Sequence, residues 1–189
     1  MGAKNFLLTG APGVGKTTIV IKLARLLGDK AAGFYTAEIR ANNRRRGFEI
    51  VSLASGEKSV LAHIDFQGRY RVGKYGVKPE NLSGVIDEIN NCIVENRFKC
   101  LIIDEIGKME LYNAEFREAV LLAIESPLPV VATIMARPHP FCDALKKRAD
   151  VRLIEVTKDN RDELPEKIIR DFLLELGFYN LGASFKSHE

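Results

Sequence analysis

Lysine and a hydroxyl side by side, preceded by a loop with three glycines, can hold a polyphosphate. Gly10-Ala11-Pro12-Gly13-Val14-Gly15-Lys16-Thr17-Thr18 fits G-x-x-x-x-G-K-[ST] at every fixed position. The glycines let backbone N–H groups turn inward and ring a phosphate. Lys16 has the reach for the β- and γ-phosphates, and the Thr17 hydroxyl is a ligand for Mg²⁺. A second group follows well downstream. The apolar run Cys100-Leu101-Ile102-Ile103 ends in Asp104-Glu105. In this setting Asp104 is expected to hold Mg²⁺, usually through water, and Glu105 to act as general base on an attacking water.

Both groups need particular elements beneath them. Asn5–Thr9 reads as a strand running into the loop, and Ile19, Val20, Leu23, Leu26 and Leu27 give the following segment one apolar helical face. Unbroken apolar runs at 100–104 and 130–134 read as strands buried on both faces, with a further strand at 151–156. Helical stripes run through Leu82, Val85, Ile86, Ile89 and Ile93, then Tyr112, Phe116, Val120, Ala123 and Ile124. A last stripe comprises Leu164, Ile168, Phe172 and Leu176. The alternation of strands and helices predicts an α/β fold with a mainly parallel sheet flanked by helices. Residues 33–77 predict an antiparallel strand insert. Within it the basic cluster Asn42–Gly47 is expected as a hairpin turn, and Lys58–Ile64 and Tyr70–Val77 as short strands. We expect one P-loop domain over 1–189 with a loose tail from about Gly177.

Several classes fall away on composition. The 28 Lys and Arg against 25 Asp and Glu leave a net charge of +3, too little to argue for nucleic acid by itself. The Arg44–Arg46 cluster is short and lacks aromatic neighbours within the turn, so nucleic acid is an unlikely partner; no protein partner is indicated. No apolar run approaches the ~20 residues of a membrane span. Cys92, Cys100 and Cys142 are sparse and lack a C-x-x-C pair, which points to packed thiols and a reducing, cytoplasmic setting.

Asp104-Glu105-Ile106-Gly107 also satisfies D-x-x-G of Ras-like GTPases. The base-reading N/T-K-x-D is approached by Thr157-Lys158-Asp159-Asn160 but ends in an amide. An amide cannot accept both guanine N–H donors as a carboxylate does, so strict guanine selectivity is not expected.

The phosphate loop, Gly33-Phe34-Tyr35-Thr36, the run Ile103–Leu111 and Val156-Thr157-x-x-Asn160-Arg161 together resemble a known family. It is the small nucleoside-triphosphatases of thermophilic prokaryotes, to which the vertebrate cancer-related nucleoside-triphosphatase also belongs. The resemblance covers nearly the whole chain. It implies a RecA-like α/β fold and Mg²⁺-dependent hydrolysis of ATP, GTP and other triphosphates to diphosphate and phosphate. It also implies nucleotide contacts at Gly10–Thr17 and within Leu101–Lys108.

The cation that would neutralise transition-state charge is left open among Lys108, Arg161 and the Arg44–Arg46 cluster. Lys108 and Arg161 are preferred because they lie within the resembling motifs. An alternative function is a P-loop kinase passing the γ-phosphoryl to a nucleotide or other small acceptor, with the 33–77 insert or the 135–148 segment as its lid. A third is a nucleotide-gated binding protein reset by slow hydrolysis.

Overall fold

In the computed structural model, residues 3–95 and 97–175 are described, with side-chain surroundings given up to Asp171. The phosphate loop leaves β1 (Asn5–Thr9) and enters α1 (Lys16–Leu27). Then come β2 (Ala31–Ala41), β3 (Arg44–Ser52), β4 (Lys58–His63), β5 (Arg71–Val72), β6 (Tyr75–Val77) and α2 (Ser83–Val94). The second half holds β7 (Cys100–Ile106), α3 (Ala114–Glu125), β8 (Val130–Ile134), α4 (Pro140–Lys146), β9 (Val151–Glu155) and α5 (Leu164–Glu175).

All nine strands form one sheet in the order β5-β6-β4-β3-β2-β7-β8-β1-β9. The five from β2 to β9 are parallel, and the four beyond β2 are added antiparallel. The antiparallel addition therefore begins at Arg44, later than residue 33. β2 belongs to both parts: its first residues, Ala31–Phe34, pair with β7, and its extension carries β3.

Alternation along the central strands sends side chains to two apolar layers. Leu7, Leu101 and Ile103 face one layer with α2, α3 and α4. Phe6, Leu8 and Ile102 face the other with Ile19, Val20 and Leu23 of α1 and Leu164 and Ile168 of α5. Each such Leu, Ile or Phe contributes about 1.5–3 kcal/mol by leaving water, which fixes where the sheet edge and its site must lie. Leu26 is an exception to the expected face of α1, being 43% exposed. The expected positions Phe172 and Leu176, and the tail from Gly177, lie outside the residues whose surroundings are described.

The hairpin differs from expectation in an instructive way. Its turn is only Asn42-Asn43, both with positive φ (50° and 58°). That is the pattern of a two-residue turn matching the twist of its flanking strands. Arg44–Arg46 therefore belong to β3. Arg45 pairs with Glu38 at 2.6 Å, and Arg46 with Asp65 at 3.4 Å. Pro79 opens a single 3-10 turn before α2 begins at Ser83. β7 does not stop at Asp104 but runs through Ile106, which pairs with Ile134 across a register irregularity.

Gly33 marks the closest approach of β2 to β7. It has φ +105°, and a Cβ there would lie 1.9 Å from the Ile102 carbonyl oxygen. Gly33→Ala must therefore move backbone of two central strands. The expected result is a loss of about 3 kcal/mol or more, read as a lowered urea midpoint with unchanged slope.

Candidate active site

The site is built at the carboxyl edge of β1, β8, β7 and β2. The loop turns tightly: Val14 N–H donates to the Ala11 carbonyl at 3.3 Å. Gly10 lies so close to the residue just after β9 that a Cβ would be 2.6 Å from the Val156 oxygen. The Lys16 ammonium lies across the loop, donating to the carbonyls of Gly10 (3.0 Å) and Ala11 (3.2 Å). Its charge is thereby held over the ring of backbone that would receive phosphate.

β8 intervenes between the loop strand and the acid strand, yet Asp104 reaches α1. Asp104 is 1% exposed. Its Oδ1 accepts from the hydroxyls of Thr17 (3.2 Å) and Thr133 (2.6 Å), and its Oδ2 from the Thr36 N–H (3.3 Å). The Thr36 hydroxyl donates to the Asp104 carbonyl. Burial pushes the Asp104 pKa up, opposed by bonds from Thr133, Thr17 and Thr36 and by the Lys16 charge. Glu105, the next residue, is also shifted up, by burial and by Asp104, with Lys16 opposing.

Thr17 and Asp104 fit a hard, oxygen-seeking cation. The two ligands already stand within hydrogen-bond distance, and Asp104 is a buried carboxyl whose ionised form a cation would stabilise. Among the described residues no group of three or more His, Cys, Asp or Glu makes an all-protein metal cage. Mg²⁺ suits such a donor set, because it takes one or two protein oxygens and fills the rest with water and phosphate.

Of the cations left open, Arg161 comes to the loop. Its Nη1 donates to the Val14 carbonyl at 3.3 Å, and its Cδ lies 3.4 Å from where a Gly15 Cβ would be. Lys108 is exposed on the turn after β7. The Arg44–Arg46 cluster is on β3, with Arg45 and Arg46 engaged by acids. His139 precedes α4 and donates its N–H to Asp143 at 3.1 Å; His188 lies outside the described residues. Asn160 is consumed locally. Its Oδ1 accepts from Thr157 N–H and its amide donates to the Glu155 carbonyl, both at 2.9 Å.

Sequence reasoning missed three participants. Thr133 is a lone hydroxyl inside an apolar strand, which was its one signal. Thr36 stood in a quoted motif without a role. Glu110 stood in the run Ile103–Leu111 without a role and is 5% exposed. Its pKa is pushed up to about 8 by burial and by Glu105 and Asp104, against N–H donors of Glu110 and Gly107.

A family model described as NTPase matches residues 5–169, nearly the whole described chain. The chain belongs to this NTPase family. Nucleoside-triphosphatase THEP1 of Natranaerobius thermophilus is 52% identical over 171 residues, spanning 90% of this chain and 97% of the relative. The THEP1 of Thermotoga maritima is 44% identical over 166 residues, spanning 86% and 92%. The crystal structure of THEP1 from Aquifex aeolicus superposes with a TM-score of 0.80 at 37% identity, covering 89% of this chain and 98% of that one. The solution structure of a human cancer-related nucleoside triphosphatase gives 0.76 at 33%, covering 88% and 96%. The expected family and its P-loop α/β fold are thus both found, and the chain is a nucleoside-triphosphatase.

Proposed function

We propose that the chain, as a single P-loop domain, hydrolyses nucleoside triphosphates of several bases to the diphosphate and phosphate, with Mg²⁺, in the cytoplasm. The observation that carries this reading is Glu105 beside the Asp104–Thr17 pair, within electrostatic reach of Lys16. Lys16 and the loop N–H groups from Gly10 to Thr18 bind and orient the phosphates. Thr17 and Asp104 would hold Mg²⁺, which when bound neutralises charge on the phosphate oxygens. Glu105 takes a proton from the attacking water as its oxygen bonds to the γ-phosphorus and the bond to the bridging oxygen breaks. The raised pKa of Glu105 makes it a stronger base than an exposed carboxylate. Arg161 is the cation best placed to meet the nucleotide from the loop's outer side.

Broad base tolerance is supported by Asn160, whose amide is already spent on Thr157 and Glu155. Hydrolysis rather than transfer is supported by the insert, whose strands are sewn into the main sheet through β2 instead of hanging as a lid.

The test is phosphate release from ATP, GTP, CTP and UTP without acceptor, with Mg²⁺ or with EDTA. We expect multi-turnover release on at least three bases, reduced to background by EDTA. Release that appears only on adding a small acceptor would overturn the reading in favour of phosphoryl transfer.

A further inference from the structure

Which end of a triphosphate lies where follows from the strand order. The loop holds the middle of the phosphate chain, while Asp104 and Glu105 lie near the end of β7, with β8 between it and β1. In an in-line displacement the attacking water and the leaving diphosphate stand on opposite sides of the γ-phosphorus. With the water at Glu105, the diphosphate and its nucleoside lead away from β7. The neighbour of β1 on that other side is β9.

The segment that follows β9, residues 156–163, is laid along the loop there. Val156 N–H donates to the Thr9 carbonyl at 2.7 Å, and the Val156 carbonyl sits against Gly10. Thr157 and Asn160 then lock one another. Thr157 N–H donates to Asn160 Oδ1 at 2.9 Å, and Asn160 N–H donates to Thr157 Oγ1 at 3.3 Å. Arg161 N–H donates to the Thr157 carbonyl at 3.2 Å. This closed turn delivers Arg161 to the end of the loop, where its stem packs on Gly15 and its Nη1 donates to the Val14 carbonyl. The side chain is nonetheless 41% exposed, and the acid paired with it, Asp162, stands at 3.9 Å. The guanidinium is therefore anchored at one nitrogen while much of its surface is open. Neither residues 156–163 nor the phosphate loop contains an aromatic ring. With the Asn160 amide spent, Arg161 is the long planar side chain of this segment.

We propose that the Arg161 guanidinium stacks on the nucleobase and is the residue through which the site accepts several bases. This rests on the reading that Glu105 and Asp104 mark the γ-phosphate end. Every base has a π face, so a guanidinium plane laid on it gains from stacking and cation–π attraction without reading a hydrogen-bonding edge. Arg161 thereby belongs to the nucleoside end of the substrate and is a binding residue, distinct from a cation that neutralises charge at the γ-phosphorus.

The test is equilibrium binding, which does not depend on turnover. A fluorescent ATP analogue bound with Mg²⁺ is displaced by ATP, GTP, CTP, UTP and inorganic tripolyphosphate from the parent, Arg161→Ala and Arg161→Lys. Arg161→Ala should weaken all four nucleotides about tenfold, the purines most, and tripolyphosphate less than about twofold. Arg161→Lys keeps the charge and loses the plane, so it should stay within about threefold of Arg161→Ala. In steady-state phosphate release the loss should appear in KM, with kcat moving less than about threefold. Equal weakening of tripolyphosphate and ATP overturns the proposal, as does full recovery in Arg161→Lys, since both place Arg161 on the phosphates. A loss confined to one base overturns it too, because it signals an edge contact. Parent protein that releases phosphate only with an added acceptor would overturn the hydrolysis reading instead, by a readout separate from the displacement constants.

Discussion

Glu105→Gln is expected to bind Mg²⁺–nucleotide as tightly as the parent and to turn it over about 10²–10⁴-fold more slowly, the usual worth of a positioned general base. The amide matches the carboxylate in shape, so the apolar packing around the end of β7 is undisturbed. It cannot accept a proton from water at any working pH. Phosphate recognition resides elsewhere, in Lys16 and the loop backbone, so affinity has no reason to fall. Removing a negative group near the γ-phosphate should, if anything, tighten binding. A fluorescent-nucleotide titration paired with single-turnover phosphate release separates the two quantities. Turnover within threefold of the parent would remove Glu105 from the chemistry and move attention to a base supplied by water or substrate.

The ease with which parts of this site could be read from sequence follows from physics rather than from luck. The phosphate loop is legible because its chemistry is local: glycine spacing, a lysine and a hydroxyl all lie within nine residues, between a recognisable strand and helix. Asp104 is legible because a charge at the end of an apolar run is costly unless it has work to do. Its partners were not, because Thr36 and Thr133 come from β2 and β8 and meet it only through sheet order. Threonine has good strand propensity, so a hydroxyl inside Val130–Ile134 looks like ordinary sheet material.

Misreadings have equally specific causes. Three consecutive arginines look like a solvated turn, yet the strong turn signal was Asn42-Asn43, two residues that tolerate left-handed backbone. With the turn so short, the arginines become strand residues, and Arg45 lays its guanidinium 5.0 Å over the Phe48 ring. Glu110 was invisible for the opposite reason. Acids are mostly exposed, and only tertiary burial distinguishes this one. Lys108 and Arg161 were equal candidates in sequence. What separates them is that the segment between β9 and α5 starts beside β1 and brings Arg161 to the loop, whereas Lys108 is exposed on the turn after β7.

Asp104→Asn offers the cleanest separation of fold from function. The carboxylate is the hub of the site, yet an asparagine can serve the same neighbours. Its oxygen can accept the Thr36 N–H, while its NH₂ donates to the hydroxyl oxygens of Thr17 and Thr133, which rotate to accept. It also removes a charge that burial disfavours. The folded-state pKa of Asp104 lies above its unfolded value, so the carboxylate lowers stability as pH rises through that interval, and the amide does not. The variant free of nucleotide should therefore melt at the same temperature as the parent or higher at pH 7 to 8. Its chemistry should suffer heavily, because a neutral amide is a poor substitute for a carboxylate in holding Mg²⁺. We expect turnover to fall about 10²-fold or more, in line with the loss of an electrostatic anchor in a phosphoryl-transfer site. The stabilisation that Mg²⁺–nucleotide gives the parent should shrink toward that given by nucleotide with EDTA. Thermal melts with and without Mg²⁺–ATP, alongside phosphate release, read both quantities. A variant that melts well below the parent without nucleotide would mean that the three threonines require the charge itself. A variant with full Mg²⁺-dependent turnover would take Asp104 out of the metal site and leave Thr17 without its partner.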